Sequence, residues 1–210
     1  MPATLRTVAA ACLAALMVSG CSVVQRPQTP PPRTLQLVEP AMLVPAESGP
    51  HGVLLVEPAE ARAGYRDTGV VYREKPQTLD YFATARWAEP PAALLADAAT
   101  DALAGAGLFH AVVAGPASVS ADYRLQLELL YLEQDYRDGM PGSARLGVRA
   151  RLLEGGRILA SRQFSVTRIA EAAGPVPAAE AAGRATREWL TRLTRFVADT
   201  LPAARDDTGG

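Results

Sequence analysis

In Tyr123-Arg124-Leu125-Gln126-Leu127-Glu128-Leu129-Leu130-Tyr131, apolar and polar side chains alternate strictly at first. A period of two is that of a β-strand with one face buried and the other wet. Tyr123, Leu125, Leu127, Leu129 and Tyr131 fall on the apolar side, and Arg124, Gln126 and Glu128 on the polar side. Downstream, Asp138-Gly139-Met140-Pro141-Gly142 is a turn signal. The alternation then resumes from Arg145 to Leu153, with Leu146, Val148, Ala150 and Leu152 inward and Arg145, Arg149 and Arg151 toward water. Glu154-Gly155-Gly156-Arg157 reads as a hairpin turn, because paired glycines supply the positive φ angles that such turns need, and Arg157 to Ile169 returns as a third strand. Three strands joined this way form an antiparallel meander.

Working outward, the N-terminal half predicts short strands at Thr34 to Val38, Gly52 to Glu57, Val70 to Arg73, Leu79 to Arg86 and Phe109 to Ala114. Val53 to Val56 is continuously apolar, as in a central strand buried on both faces. Between them, Leu95, Ala99, Ala102, Leu103 and Ala106 recur at three and four residues after Pro90-Pro91. Proline is tolerated in a first helical turn, so a helix starts there and ends at Gly105 and Gly107. After Gly174-Pro175, read as a breaker, a second helix is predicted from Ala178 to Thr200. Its apolar stripe is Ala182, Ala185, Trp189, Leu190, Leu193, Phe196 and Val197. Two one-sided helices and a one-sided sheet imply an α+β two-layer sandwich, mostly antiparallel, with both helices on one face.

The N-terminus is of a different kind. Arg6 is followed by an apolar run from Val8 to Val18 and then Ser19-Gly20-Cys21. A short positive region, an apolar core and small residues before a cleavage point define a secretory signal, and the run is too short to span a bilayer. Val18-Ser19-Gly20-Cys21 matches the bacterial lipobox, which places cleavage between Gly20 and Cys21. Cys21 then carries a thioether-linked diacylglycerol and an N-acyl chain, and several chains make membrane release negligible. Ser22, rather than Asp, follows the cysteine and favours the outer membrane. Residues 21–33 contain Pro27, Pro30, Pro31 and Pro32, an extended tether, and residues 203–210 read as a disordered tail.

Composition narrows function further. The 210 residues carry 21 basic and 22 acidic side chains, net −1, with no like-charged block, which gives nucleic acid nothing to bind. The two cysteines are Cys12, inside the leader, and Cys21, so the domain of residues 34–202 carries no thiol. With His51, placed in a solvated loop, and His110 as the only histidines, a metal centre of nitrogen or sulfur ligands is not expected, nor any cofactor beyond the acyl chains. No Gly-x-Ser-x-Gly elbow places a serine beside a histidine, and no glycine loop opens a helix onto phosphate. Glu133 and Asp135 read as a solvated rim or weak cation site rather than a glycosidase pair. The catalytic set is therefore empty.

Gly64-Tyr65-Arg66-Asp67, Val71-Tyr72-Arg73, Tyr81, Arg86-Trp87-Ala88-Glu89-Pro90 and the strand Gly156 to Phe164 follow one another in an order that resembles the ABC-type transport auxiliary lipoproteins. That family includes the lipoprotein of the paraquat-inducible intermembrane system. The resemblance spans Leu35 to Leu201. It implies a non-catalytic accessory protein on the periplasmic face of the outer membrane. Its partners would be an ABC permease and ATPase and a periplasmic MCE-domain protein, which together move lipids or other hydrophobic compounds between membranes. The lipoprotein would dock on the MCE assembly, with a ring or other homo-oligomer among the arrangements implied.

Tyr65, Tyr72, Trp87 and Glu89 are the candidate partner interface, since a tryptophan near a helix start can anchor a contact; packing of Trp87 at the strand-to-helix corner is the competing reading. Sheet edges and the loop Asp135 to Gly142 are further contact surfaces. A periplasmic carrier enclosing an acyl chain is the alternative function, and it requires a dry pocket of some hundreds of Å³.

Overall fold

The computed structural model describes residues 31–37, 51–115 and 120–201. The leader, the lipobox with Gly20 and Cys21, the tether up to Pro30 and the tail 203–210 lie outside the described residues. In chain order the elements are β1 (Arg33–Leu35), β2 (His51–Val56), β3 (Glu60–Ala61), β4 (Gly69–Arg73), β5 (Asp80–Trp87), α1 (Pro91–Gly105), β6 (Phe109–Ala114), β7 (Tyr123–Asp135), β8 (Ser143–Glu154), β9 (Arg157–Ile169) and α2 (Pro175–Thr200).

Strand β7 is the spine of a nine-stranded mixed sheet. Along one edge it pairs antiparallel with β8 over its whole length, and β8 pairs likewise with β9. This is the expected meander. Its inner turn, Gly155-Gly156, has φ of 54° and 84°, the left-handed values that glycine adopts without a Cβ penalty. The other edge of β7 takes three parallel partners in succession: β2 at Tyr123, β3 at Glu128 and β4 at Glu133. β6 flanks β2 in parallel, while β5 flanks β4 antiparallel and carries β1 outside it. Long antiparallel ladders therefore dominate, and the short N-terminal strands add the parallel ones.

Both helices cover one face, α1 against β2, β6 and β7 and α2 against β8 and β9, and they touch each other. All seven residues of the α2 stripe are buried, Trp189, Leu193 and Val197 completely. They meet Leu125, Leu146, Val148 and Leu152 of the sheet in one core cluster. Each buried Leu, Val or Phe among them contributes roughly 1.5–3 kcal/mol on leaving water, which is how a domain without disulfides is held together. The helix is longer than the pattern suggested. Pro175 is its first residue and not a breaker, with Gly174 at φ 113° turning the chain into it, because a first-turn proline lacks only an N–H that would have no partner anyway.

Two further differences concern β7. It runs four residues past Tyr131, and its register against β8 shifts between Leu129 and Tyr131. Such a bulge inserts one residue and turns the following side chains over. Leu132 then replaces Tyr131 on the core side, opposite Leu146. Tyr131, Glu133 and Asp135 move to the helix-free face. Tyr131 lies over Gly147 of β8, where a Cβ would meet its ring at 2.4 Å. Its hydroxyl lies 2.8 Å from Ser165 Oγ on β9.

Candidate functional site

The four side chains singled out from the sequence do not form one surface. Trp87 is 2% exposed and lines the core at the end of β5, so it closes the strand-to-helix corner. Tyr65 is also buried, and its hydroxyl donates to Glu133 Oε2. Tyr72 is half-buried on the other side of the sheet, its ring 4.8 Å from that of Phe82 and 6.1 Å from that of Tyr136. Only Glu89, before the proline that caps α1, is fully at the surface. Tyr81 is 49% exposed and donates to the Gly64 carbonyl. His51 opens β2 instead of lying in a loop, half-buried with its ring 6.3 Å from Phe109 and 6.2 Å from Tyr123. His110 is exposed on β6.

What the fold does bring together lies on the helix-free face. Past the bulge, Glu133 and Asp135 point there beside Arg145 of β8 and Arg73 at the end of β4. They are not a solvated rim. Glu133 is 4% and Asp135 6% exposed, and each is enclosed by guanidinium groups rather than by water. Arg73 Nη2 is 3.1 Å from Glu133 Oε2; Arg145 Nη1 is 3.2 Å from Glu133 Oε1 and 3.3 Å from Asp135 Oδ2. Arg137 closes the far end, donating through Nε to Asp135 Oδ1 at 2.9 Å and through Nη2 to Oδ2. The result is a continuous chain, Arg137, Asp135, Arg145, Glu133, Arg73, with Tyr65 bonded to the second carboxylate. Arg145 also stacks over the Tyr131 ring, 5.2 Å from its centroid.

Proton affinities follow from these contacts. The Arg137 side chain holds the Asp135 carboxyl down to about 2 despite its burial. Arg137 in turn is pushed up by Asp135, and Arg73 by Glu133. Burial, then Glu133 accepting its proton, drives the Tyr65 phenol well above the usual tyrosine value. At neutral pH Asp135 is therefore an anion, Arg73 and Arg137 are cations and Tyr65 is a neutral phenol. Among the described residues no group of three or more His, Cys, Asp and Glu side chains is placed to hold a metal ion.

The family model for the ABC-type transport auxiliary lipoprotein component matches residues 34–198. The chain belongs to this family. The auxiliary lipoprotein is similar to the crystal structure of protein XCC0632 from Xanthomonas campestris, of the DUF330 family, with 25% identity, 81% of this chain and 94% of that one covered, and a TM-score of 0.67. It shares its fold with a second crystal structure, of an uncharacterized protein, at 16% identity over 80% and 99% of the two chains and a TM-score of 0.63. No curated protein sequence matches it. An auxiliary lipoprotein of an ABC-type transport system is lipid-anchored and implies a non-catalytic role. Among its described residues no helix is long and apolar enough to cross a membrane.

Four strands of the auxiliary lipoprotein have an edge with no strand beside it among the described residues: β1, the two-residue β3, β6 and β9. In the 136–142 loop Met140 is 68% exposed, and at the nearby end of β9, which bonds back to that loop through Ala170 N–H and the Gly142 carbonyl, Ile169 is 73% exposed.

Proposed function

We propose that this auxiliary lipoprotein is held by acyl chains on Cys21 at the periplasmic face of the outer membrane. There it serves as the docking subunit of an MCE-type ABC transporter that carries lipids or other hydrophobic compounds between the membranes. The observation that carries the reading is the family match over residues 34–198, taken with the lipobox before Cys21 and the serine after it. A tethered domain acts by touching a partner, and free strand edges with exposed Met140 and Ile169 are surfaces suited to contact.

The carrier alternative has less support. The cavity between sheet and α2 lined by Val70, Trp87, Leu132 and Ala182 among others has a volume of about 10 Å³, far short of an acyl chain. The clefts of about 430 Å³ beside Leu37 and α2 and about 410 Å³ beside Arg73 and Arg145 carry charged side chains in their walls rather than the dry lining that reading requires. The decisive experiment is in-cell crosslinking of the tagged full-length lipoprotein. Recovery of a periplasmic MCE-domain protein is the expected result. Its absence, with the lipoprotein mature and membrane-bound, would overturn the assignment.

A further inference from the structure

On the helix-free face the guanidinium–carboxylate chain borders a cleft of about 410 Å³. The charges around it do not balance: five guanidinium groups, those of Arg62, Arg73, Arg137, Arg145 and Arg149, meet four carboxylates, those of Glu128, Glu133, Asp135 and Asp138. Asp138, exposed on the next turn, acts on Arg137 through space and more weakly than Asp135 does. On the other side of the cleft, Arg62 adds positive charge and shares Glu128 with Arg149. Two like-charged guanidinium groups, those of Arg137 and Arg145, meet at a single oxygen, Asp135 Oδ2. A surplus positive charge kept partly out of water is costly unless an anion completes it.

The donors needed are present. Arg73 uses Nε and Nη2 on Glu133 and Nη1 on the Pro76 carbonyl. Arg137 Nη1 and Arg145 Nη2 have no acceptor among the described residues, and both groups line the cleft. Ala63, Leu79, Leu130 and the Tyr131 ring form its apolar wall. Arg137 Nη1 and Arg145 Nη2 come from different segments and each carries two N–H donors, which can meet separate oxygens of a tetrahedral oxyanion, whereas a planar carboxylate offers a single edge.

We infer that this cleft binds a phosphate group, either free or as the ester of an apolar body lying against Leu79, Leu130 and Tyr131. The inference does not rest on the docking role, because its test reads binding with no protein partner present.

Isothermal titration of the mature lipoprotein in dodecyl maltoside micelles, against blank micelles, tests it with inorganic phosphate, hexyl phosphate and hexanol. Saturable binding of phosphate and hexyl phosphate is expected. Equal affinities identify a free-phosphate site, and hexyl phosphate binding tighter by about tenfold or more identifies an amphiphile. Arg137→Gln should weaken both roughly tenfold, and Arg137→Lys, which keeps the charge but loses the fork, by less. Arg157→Gln, in the exposed β8–β9 turn, should change neither. The inference is overturned if no saturable binding occurs below about 10 mM, if hexanol binds as tightly as hexyl phosphate, or if both Arg137 variants, folded by near-ultraviolet circular dichroism, bind as the wild type does.

Discussion

The Tyr65 hydroxyl donates to Glu133 Oε2 across 68 residues of chain, fastening the connection between β3 and β4 to the spine of the sheet. The phenol is buried and its partner is a carboxylate already held by two arginines. Tyr65→Phe keeps the ring and removes the donor. A hydrogen bond to a charged group contributes about 1.5–3 kcal/mol, but Arg73 and Arg145 continue to satisfy Glu133, so a loss of about 1–2 kcal/mol is expected. Urea unfolding at neutral pH measures it, and a midpoint equal to that of the wild type would show the bond to be inert.

Asp135 sets a pH dependence whose sign is fixed. Its carboxyl is lowered in the folded state from 3.8 to about 2, first through the Arg137 side chain. A depressed acid stabilises the fold above its unfolded value and ceases to do so as pH falls through the folded one. The contribution is complete at neutral pH and disappears between about pH 4 and pH 2. With Arg137 one-third exposed to solvent, its size is on the order of 1–2 kcal/mol. Asp135→Asn should therefore be less stable than the wild type at pH 7 and nearly equal to it at pH 2. A gap that does not narrow over that interval would refute the linkage.

Gly147 and Tyr131 form a matched pair. A Cβ at Gly147 would meet ring atoms of Tyr131 at 2.4 Å, and that ring is held in place by Arg145 over its face and by Ser165 at its hydroxyl. Gly147→Ala should cost about 1–3 kcal/mol by overpacking. Placed on Tyr131→Ala, where the ring is gone, the same change should cost much less. Additivity of the two substitutions in denaturant unfolding would show that the ring does not require the glycine.

The meander, the two helices and the single covered face were all readable, because each rests on a local period: two along Tyr123 to Leu129, between three and four along Ala182 to Val197. Parallel pairing has no such local mark. It joins segments far apart in sequence, so the attachment of β2, β3 and β4 along one edge of β7, and the two-residue β3 itself, could not be inferred. The arginine-carboxylate chain was missed for a related reason. Glu133 and Asp135 read as a solvated rim or weak cation site because their burial depends on Tyr65, Arg73 and Arg145 arriving from other segments. One signal was available: Leu129-Leu130-Tyr131-Leu132 breaks the alternation, and a run of successive apolar residues in an otherwise strict strand is consistent with a bulge.

Trp87 and Glu89, two residues apart, now make opposite predictions. Trp87 is core, so Trp87→Ala should cost about 3–5 kcal/mol and reduce partner capture only by unfolding the domain. Glu89 is exposed, so Glu89→Lys should leave the unfolding midpoint unchanged and lower the yield of the MCE crosslink. An undiminished yield would remove this corner from the docking surface.

Cys21 tests the tether separately from the fold. It lies outside residues 34–198, which the family model spans. Cys21→Ala should block lipid transfer and processing while the domain keeps the unfolding midpoint of the wild type. Since each buried methylene adds about 0.8 kcal/mol of membrane attachment, losing every chain should release the domain from acyl-chain anchorage and abolish complementation in cells. Full complementation by the unlipidated variant would mean that binding to the transporter alone positions the domain, and that the acyl chains contribute nothing to its action.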